Sequence, residues 1–170
     1  NRRACGSLAR SVSRSGRRRA TASGAVVCCC SLLTTLPLAS GYSFANEIEL
    51  KAALTAWDED GCGLETCAAT YGAVGTWNVT AVTHFSSLLD GLTNFDEDLS
   101  GWDTSGVTNM RFMFSGADTF NQLLTFDTSK VTTMYGMFYD ANAFNKPLTF
   151  DTSLVTDMGY MLASAGAFNQ

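Results

Sequence analysis

Residues 102–122 read WDTSGVTNMRFMFSGADTFNQ, and residues 126–145 read FDTSKVTTMYGMFYDANAFN. Fixed letters at matching places mean a tandem repeat, and a repeat outranks any local reading of secondary structure. Working outward from this pair, units open at Trp77, Trp102, Phe126 and Phe150, spaced by 25, 24 and 24 residues. The last unit stops at Gln170, twenty places after Phe150, and is read as truncated, with further repeats or an anchor expected beyond it.

Counting the opening aromatic as place 0, place 5 is Val82, Val107, Val131 or Val155. Place 8 is Phe85, Met110, Met134 or Met158, and place 11 is Leu88, Met113, Met137 or Met161. Place 12 is Leu89, Phe114, Phe138 or Leu162, and place 15 is Leu92, Ala117, Ala141 or Ala165. Places 8, 11, 12 and 15 stand at i, i+3, i+4 and i+7, the spacing of one helix face. His84, Asn109, Thr133 and Asp157 precede this set, three of them good N-caps. Each unit is therefore predicted to hold a helix of about two turns, ending at Gly91, Gly116, Asp140 or Ser164.

Ahead of the helix the period changes to two. Leu124, Phe126 and Thr128 alternate with Thr125 and Asp127, as Leu148, Phe150 and Thr152 do with their neighbours, the pattern of a half-buried strand. In Leu99-Ser100-Gly101-Trp102 one extra residue is expected to form a glycine-containing bulge. Strand, turn and helix in 24 residues predict an α/β repeat solenoid of the leucine-rich-repeat kind. One unit cannot bury both of its faces, so the units must stack. The expected units are 77–101, 102–125, 126–149 and 150–170.

An array needs a cap. In Asn46-Glu47-Ile48-Glu49 an N-cap residue has Glu at N3, and Leu50, Ala53, Leu54 and Trp57 follow at helical spacing. Residues 42–75 are therefore read as an N-terminal capping segment. Before them, residues 1–41 look like a targeting segment: Arg10, Arg14, Arg17, Arg18 and Arg19 precede an apolar run from Ala25 to Leu38, then small residues. That is a secretory layout, with an organelle transit peptide as the alternative, since the stretch is also rich in Arg and Ser. The apolar run is shorter than the roughly 20 residues a membrane helix needs. The chain begins with Asn1 and is read as a fragment at that end.

Charge follows the same division. Residues 1–46 hold seven Arg and no acid, whereas the remainder carries four basic and sixteen acidic side chains, a net charge of −12. Its cations Lys51, Arg111, Lys130 and Lys146 are scattered, so nucleic acid is not an expected partner.

Of six cysteines, Cys62 and Cys67 alone lie in the body. A local disulfide in a secreted protein, free thiols, and a metal site short of two ligands are the three readings. Cys28, Cys29 and Cys30 are apolar filler of the leader or a palmitoylation site.

Asn121, Asn145 and Asn169 recur at place 19, with Asp96 in the first unit, and are expected to form a ladder of buried amides. Asp103, Asp127 and Asp151 recur at place 1 before Thr-Ser pairs, which favours Asx-turns; a shared calcium ion is the weaker alternative. No cofactor is expected. In the first unit Asn78-Val79-Thr80 is an N-glycosylation sequon.

The string W-D-T-S-x-V-T-N-M-x-x-M-F-x-x-A-x-x-F-N-Q resembles the repeat of the BspA-like leucine-rich-repeat surface protein family, also described as the Mycoplasma-type lipoprotein repeat of unknown function. The resemblance runs from Trp77 to Gln170, and Ala69-Thr70-Tyr71-Gly72 resembles the stretch that precedes such repeats. The first unit departs most, at Val79, Ala81, Phe85 and Leu88-Leu89. The resemblance implies a secreted or cell-surface solenoid used in adhesion or protein interaction, and it carries over no catalytic residue.

A binding scaffold would meet its partner, a protein or glycan at the cell surface, through outward places that vary: Arg111, Phe112, Tyr135, Tyr139 and Tyr160. The plain alternative is that these side chains pack on adjacent units. A coat component self-associating through its C-terminal edge is a second function. An enzyme of the β-helix kind, cutting polysaccharide with the Asp row, is a third; it needs two carboxyls in distinct environments, and repeat copies do not supply them.

Overall fold

The computed structural model describes residues 41–59 and 70–170. The Cys62–Cys67 pair and residues 1–40 of the targeting segment lie outside the described residues.

Helix α1 (Glu47–Glu59) starts where the capping signal places it. Asn46 Oδ1 accepts the Glu49 N–H at 3.0 Å, and the Glu49 carboxylate accepts the Ala45 N–H at 3.1 Å and the Tyr42 hydroxyl at 3.0 Å. The box thus closes on the residue before the cap. That acceptor also pushes the Tyr42 phenol above its ordinary pKa. Leu50, Ala53, Leu54 and Trp57 are all buried, as their spacing predicts. Three polar contacts hold α1 to the first unit: Lys51 Nζ donates to the Ser87 carbonyl at 2.6 Å, Asp58 accepts the Asn94 N–H at 2.9 Å, and Trp57 Nε1 donates to Glu97 at 3.3 Å. Tyr42, Phe44, Tyr71 and Trp77 form an aromatic cluster beside it, with centroids 4.8–5.8 Å apart.

Beyond a 3-10 turn at Val74–Thr76 the described chain is irregular in the formal sense, with no further helix and no sheet. The expected two-turn helices are absent. In their place each unit makes two consecutive tight turns, for example Met110–Met113, closed by Met113 N–H to Met110 carbonyl at 3.3 Å, and Phe114–Ala117, closed at 3.2 Å. The third residue of every such turn has positive φ: Ser87, Phe112, Gly136 and Tyr160 in the first turns, and Gly91, Gly116, Asp140 and Ser164 in the second. A tight turn of the type II kind needs that sign at its third position, whereas a right-handed helix excludes it. The corners of two successive four-residue turns fall at 0, 3, 4 and 7, so the apolar spacing fits turns as well as a helix.

The alternate N–H groups decide between the two. Met110, Phe112, Phe114 and Gly116 donate to the Thr133, Tyr135, Met137 and Tyr139 carbonyls of the next unit, at 2.8–3.0 Å. The same four rows join the first unit to the second and the third to the fourth. A helix would spend those donors within itself. Isolated parallel bridges occur at His84–Asn109, Asn109–Thr133 and Thr133–Asp157, the places expected to be N-caps. The expected strand is not one either, although Leu124, Phe126 and Thr128 are buried between exposed Thr125 and Asp127 as the alternation requires. The expected bulge is a turn, closed by Trp102 N–H to Leu99 carbonyl at 3.0 Å.

Side chains bind the units too. Val107, Met110, Met113, Phe114, Ala117 and Phe120 are all fully buried, with their counterparts in the next unit. Phe114 stacks on Phe138 at 5.2 Å and 3°, and Phe120 on Phe144 at 6.2 Å and 10°. Offset stacking at this range adds to the burial of the rings. The place-19 ladder exists in another form: Asn121, Asn145 and Asn169 each donate a backbone N–H, at 2.8–3.0 Å, to the side-chain oxygen of Asp96, Asn121 and Asn145. These amides are half-buried or exposed, not buried. A column of threonines runs parallel, with Thr108, Thr132 and Thr156 each giving N–H and hydroxyl to the preceding threonine's carbonyl.

Candidate functional site

The outward residues singled out in the sequence sit on the tips of these turns. Arg111 and Phe112 are the second and third residues of the Met110–Met113 turn, Tyr135 and Tyr139 are second residues of the two turns in the next unit, and Tyr160 is a third residue in the one after. In the second, third and fourth units the first turn is set by the side chain before it. Asn109 Oδ1 accepts the Arg111 N–H at 2.9 Å, Thr133 Oγ1 the Tyr135 N–H at 3.4 Å, and Asp157 Oδ1 the Gly159 N–H at 3.1 Å. The capping chemistry read from the sequence is therefore present, spent on Asx- and ST-turns.

Phe112, Tyr135, Tyr139 and Tyr160 line a groove of about 300 Å³ across three units. Phe112 meets Tyr135 edge to face at 5.3 Å and 88°, and Tyr135 meets Tyr160 at 5.6 Å and 66°. The Arg111 guanidinium lies 5.0 Å from the Phe112 centroid and 4.3 Å from that of Tyr135, within cation–π range. Phe112 and Tyr135 are half-buried, while Tyr139 is 41% and Tyr160 63% exposed. All five residues thus come together; Phe112, Tyr135 and Tyr160 pack ring to ring across units, while Tyr139 and Tyr160 also remain exposed. The sequence reading missed the floor. A side chain at Gly136 would occupy the Phe112 ring, and one at Gly159 would come within 3.0 Å of Tyr135 and 3.4 Å of Asp157 Oδ1. The available signal was glycine at places 9 and 10, where the other units carry larger side chains.

The place-1 carboxylates lie elsewhere and behave as turn formers. Asp103, Asp127 and Asp151 accept the Ser105, Ser129 and Ser153 N–H groups at 2.9–3.0 Å. These serines hold the three carboxyls below the ordinary range. Hydroxyl leads over N–H at Asp103 and Asp127, and N–H over hydroxyl at Asp151. Asp127 pushes Asp103 the other way by charge, a smaller effect than the hydrogen bonds. Among the described residues no group of three His, Cys, Asp or Glu is placed to hold a metal ion. Asn78 is exposed, its Oδ1 accepting from Thr80 N–H at 3.1 Å and Thr80 hydroxyl at 2.8 Å, the same Asx-turn. Among the described residues no helix is long and apolar enough to cross a membrane.

Compared with known proteins, no curated protein and no solved structure matches the chain. A family model does match, over residues 64–170, which takes in every repeat and the end of the segment before them. By that match the chain belongs to the family described as Mycoplasma protein of unknown function, DUF285.

Proposed function

We propose that residues 77–170 are a leucine-rich-repeat-like solenoid of the BspA-like surface protein kind, capped by 42–75, that works outside the cell as a non-catalytic scaffold for adhesion or protein interaction. The observation that carries this reading is the groove: side chains from three successive units converge on one surface, with two tyrosines exposed beyond what packing needs. Large exposed aromatics beside an Arg are the residue types that dominate protein interfaces. The fixed residues of the repeat, by contrast, are used up in the core and in turn hydrogen bonds. That leaves the variable tips for recognition.

The test is adhesion of beads coated with the full chain to intact cell surfaces, against the double variant Tyr139→Ser/Tyr160→Ser. Both positions are exposed, so the variant should keep the unfolding midpoint while retention falls. Retention unchanged by the variant overturns the assignment of the groove. Retention no better than on uncoated beads overturns the scaffold itself.

A further inference from the structure

We infer that the groove selects cationic side chains, arginine above all, from a basic segment of a partner protein. This deepens the scaffold reading and rests on it. The first observation is internal: two of the rings that line the groove, Phe112 and Tyr135, already carry a guanidinium, that of Arg111, over their faces. The ring quadrupole places negative charge on those faces, and a guanidinium is the cation that stacks best on them.

The second observation is repetition. The step from Tyr135 to Tyr160, 5.6 Å and edge to face, repeats the step from Phe112 to Tyr135 one unit on. In the first pair Arg111 at place 9 supplies the cation, whereas in the next two units place 9 is Tyr135 and Gly159. Tyr135, shared by both pairs, already carries Arg111, whereas among the described residues no cation lies over the ring of Tyr160, the new member of the second pair. Tyr139 extends the lining beside it, and the groove is of the size that takes one long side chain with its neighbours.

Charge completes the case. Asp140, directly after Tyr139, is exposed, and Asp157 Oδ1 shares the space above Gly159 with the Tyr135 ring. Around them the body has a net charge of −12. Such a field draws basic partners and turns away acidic ones. A neutral glycan could stack its C–H groups on the rings but would not use the field.

The experiment is calorimetric titration of the full chain with a deca-arginine peptide at physiological salt, with deca-lysine and deca-glutamate alongside. Arginine should bind more tightly than lysine, and glutamate not at all. Tyr139→Ser/Tyr160→Ser should weaken arginine binding about fivefold or more, and Tyr139→Phe/Tyr160→Phe, which keeps the rings, should restore it. Equal binding by the Ser variant would reduce the effect to general attraction by an acidic body and overturn the inference. Adhesion that depends on the two tyrosines, in a chain that ignores deca-arginine, would also overturn it while leaving the scaffold reading intact.

Discussion

The ring of Phe112 occupies the space that a side chain on Gly136, in the next unit, would need. Gly136 also has φ +60°, so two separate constraints fall on one residue. Gly136→Ala should cost about 1–2 kcal/mol for the left-handed backbone and more for displacing the ring. Gly116→Ala, at φ +62° but with its nearest contact at 3.7 Å, should cost the backbone part alone. Denaturant midpoints of the two variants check the difference.

Asn121 Oδ1 is the acceptor for the half-buried Asn145 N–H. Asn121→Ala leaves that donor without its partner and should destabilise the chain by about 1–2 kcal/mol. Asn121→Asp keeps the acceptor, as Asp96 does one unit earlier. It should stay close to wild type at neutral pH by the same measurement.

The place-1 carboxyls have folded pKa values below their ordinary 3.8. Their stabilisation is therefore complete above that pH and is lost as the pH falls below it. Asp127→Asn should flatten this acid-side loss and change little at pH 7, because Asn78 forms the same turn. Midpoints recorded from pH 7 down to 2 test the sign. EDTA should leave the midpoint where it is.

Tyr160 combines 63% exposure with φ +57°, a backbone region that a large side chain occupies at a cost. Tyr160→Gly should hold stability or raise it by up to about 1 kcal/mol. Tyr135→Ser, which removes a ring packed on both Phe112 and Tyr160, should lower it. Thermal midpoints moving the same way for both would contradict this division between display and packing.

The period, the inward set and the capping of α1 were all legible in the sequence, because burial selects residue types place by place. The secondary structure inside a unit was not. Met110, Met113, Phe114 and Ala117 fit a helix face and the corners of paired turns equally well, and only hydrogen bonds to another unit separate the two. The positive-φ places were half legible: glycine marks Gly91, Gly116 and Gly136, but Phe112 and Tyr160 hide the same geometry behind large side chains. Arg111 and the tyrosines could be picked out because they vary and point outward. That the tyrosines share one groove with Phe112 depends on Gly136 and Gly159, whose role needs the neighbouring unit to be seen.

The four rows of hydrogen bonds between units all run one way, each N–H pointing to the later unit and each carbonyl to the earlier. In a pleated sheet successive peptides alternate and their dipoles nearly cancel; here the intervening peptides are turned aside to close the turns. The opposing threonine row, the N–H groups of Asn121, Asn145 and Asn169, and the Ala143 to Asp118 and Ala167 to Asn142 bonds offset only part of the sum. The repeats therefore carry a net electric polarity along their direction of succession, as a helix does along its axis, with the carbonyl pole at the first unit. There the Lys51 ammonium bonds the carbonyl of Ser87, a turn peptide beside the four rows, and so brings a positive charge to the negative end.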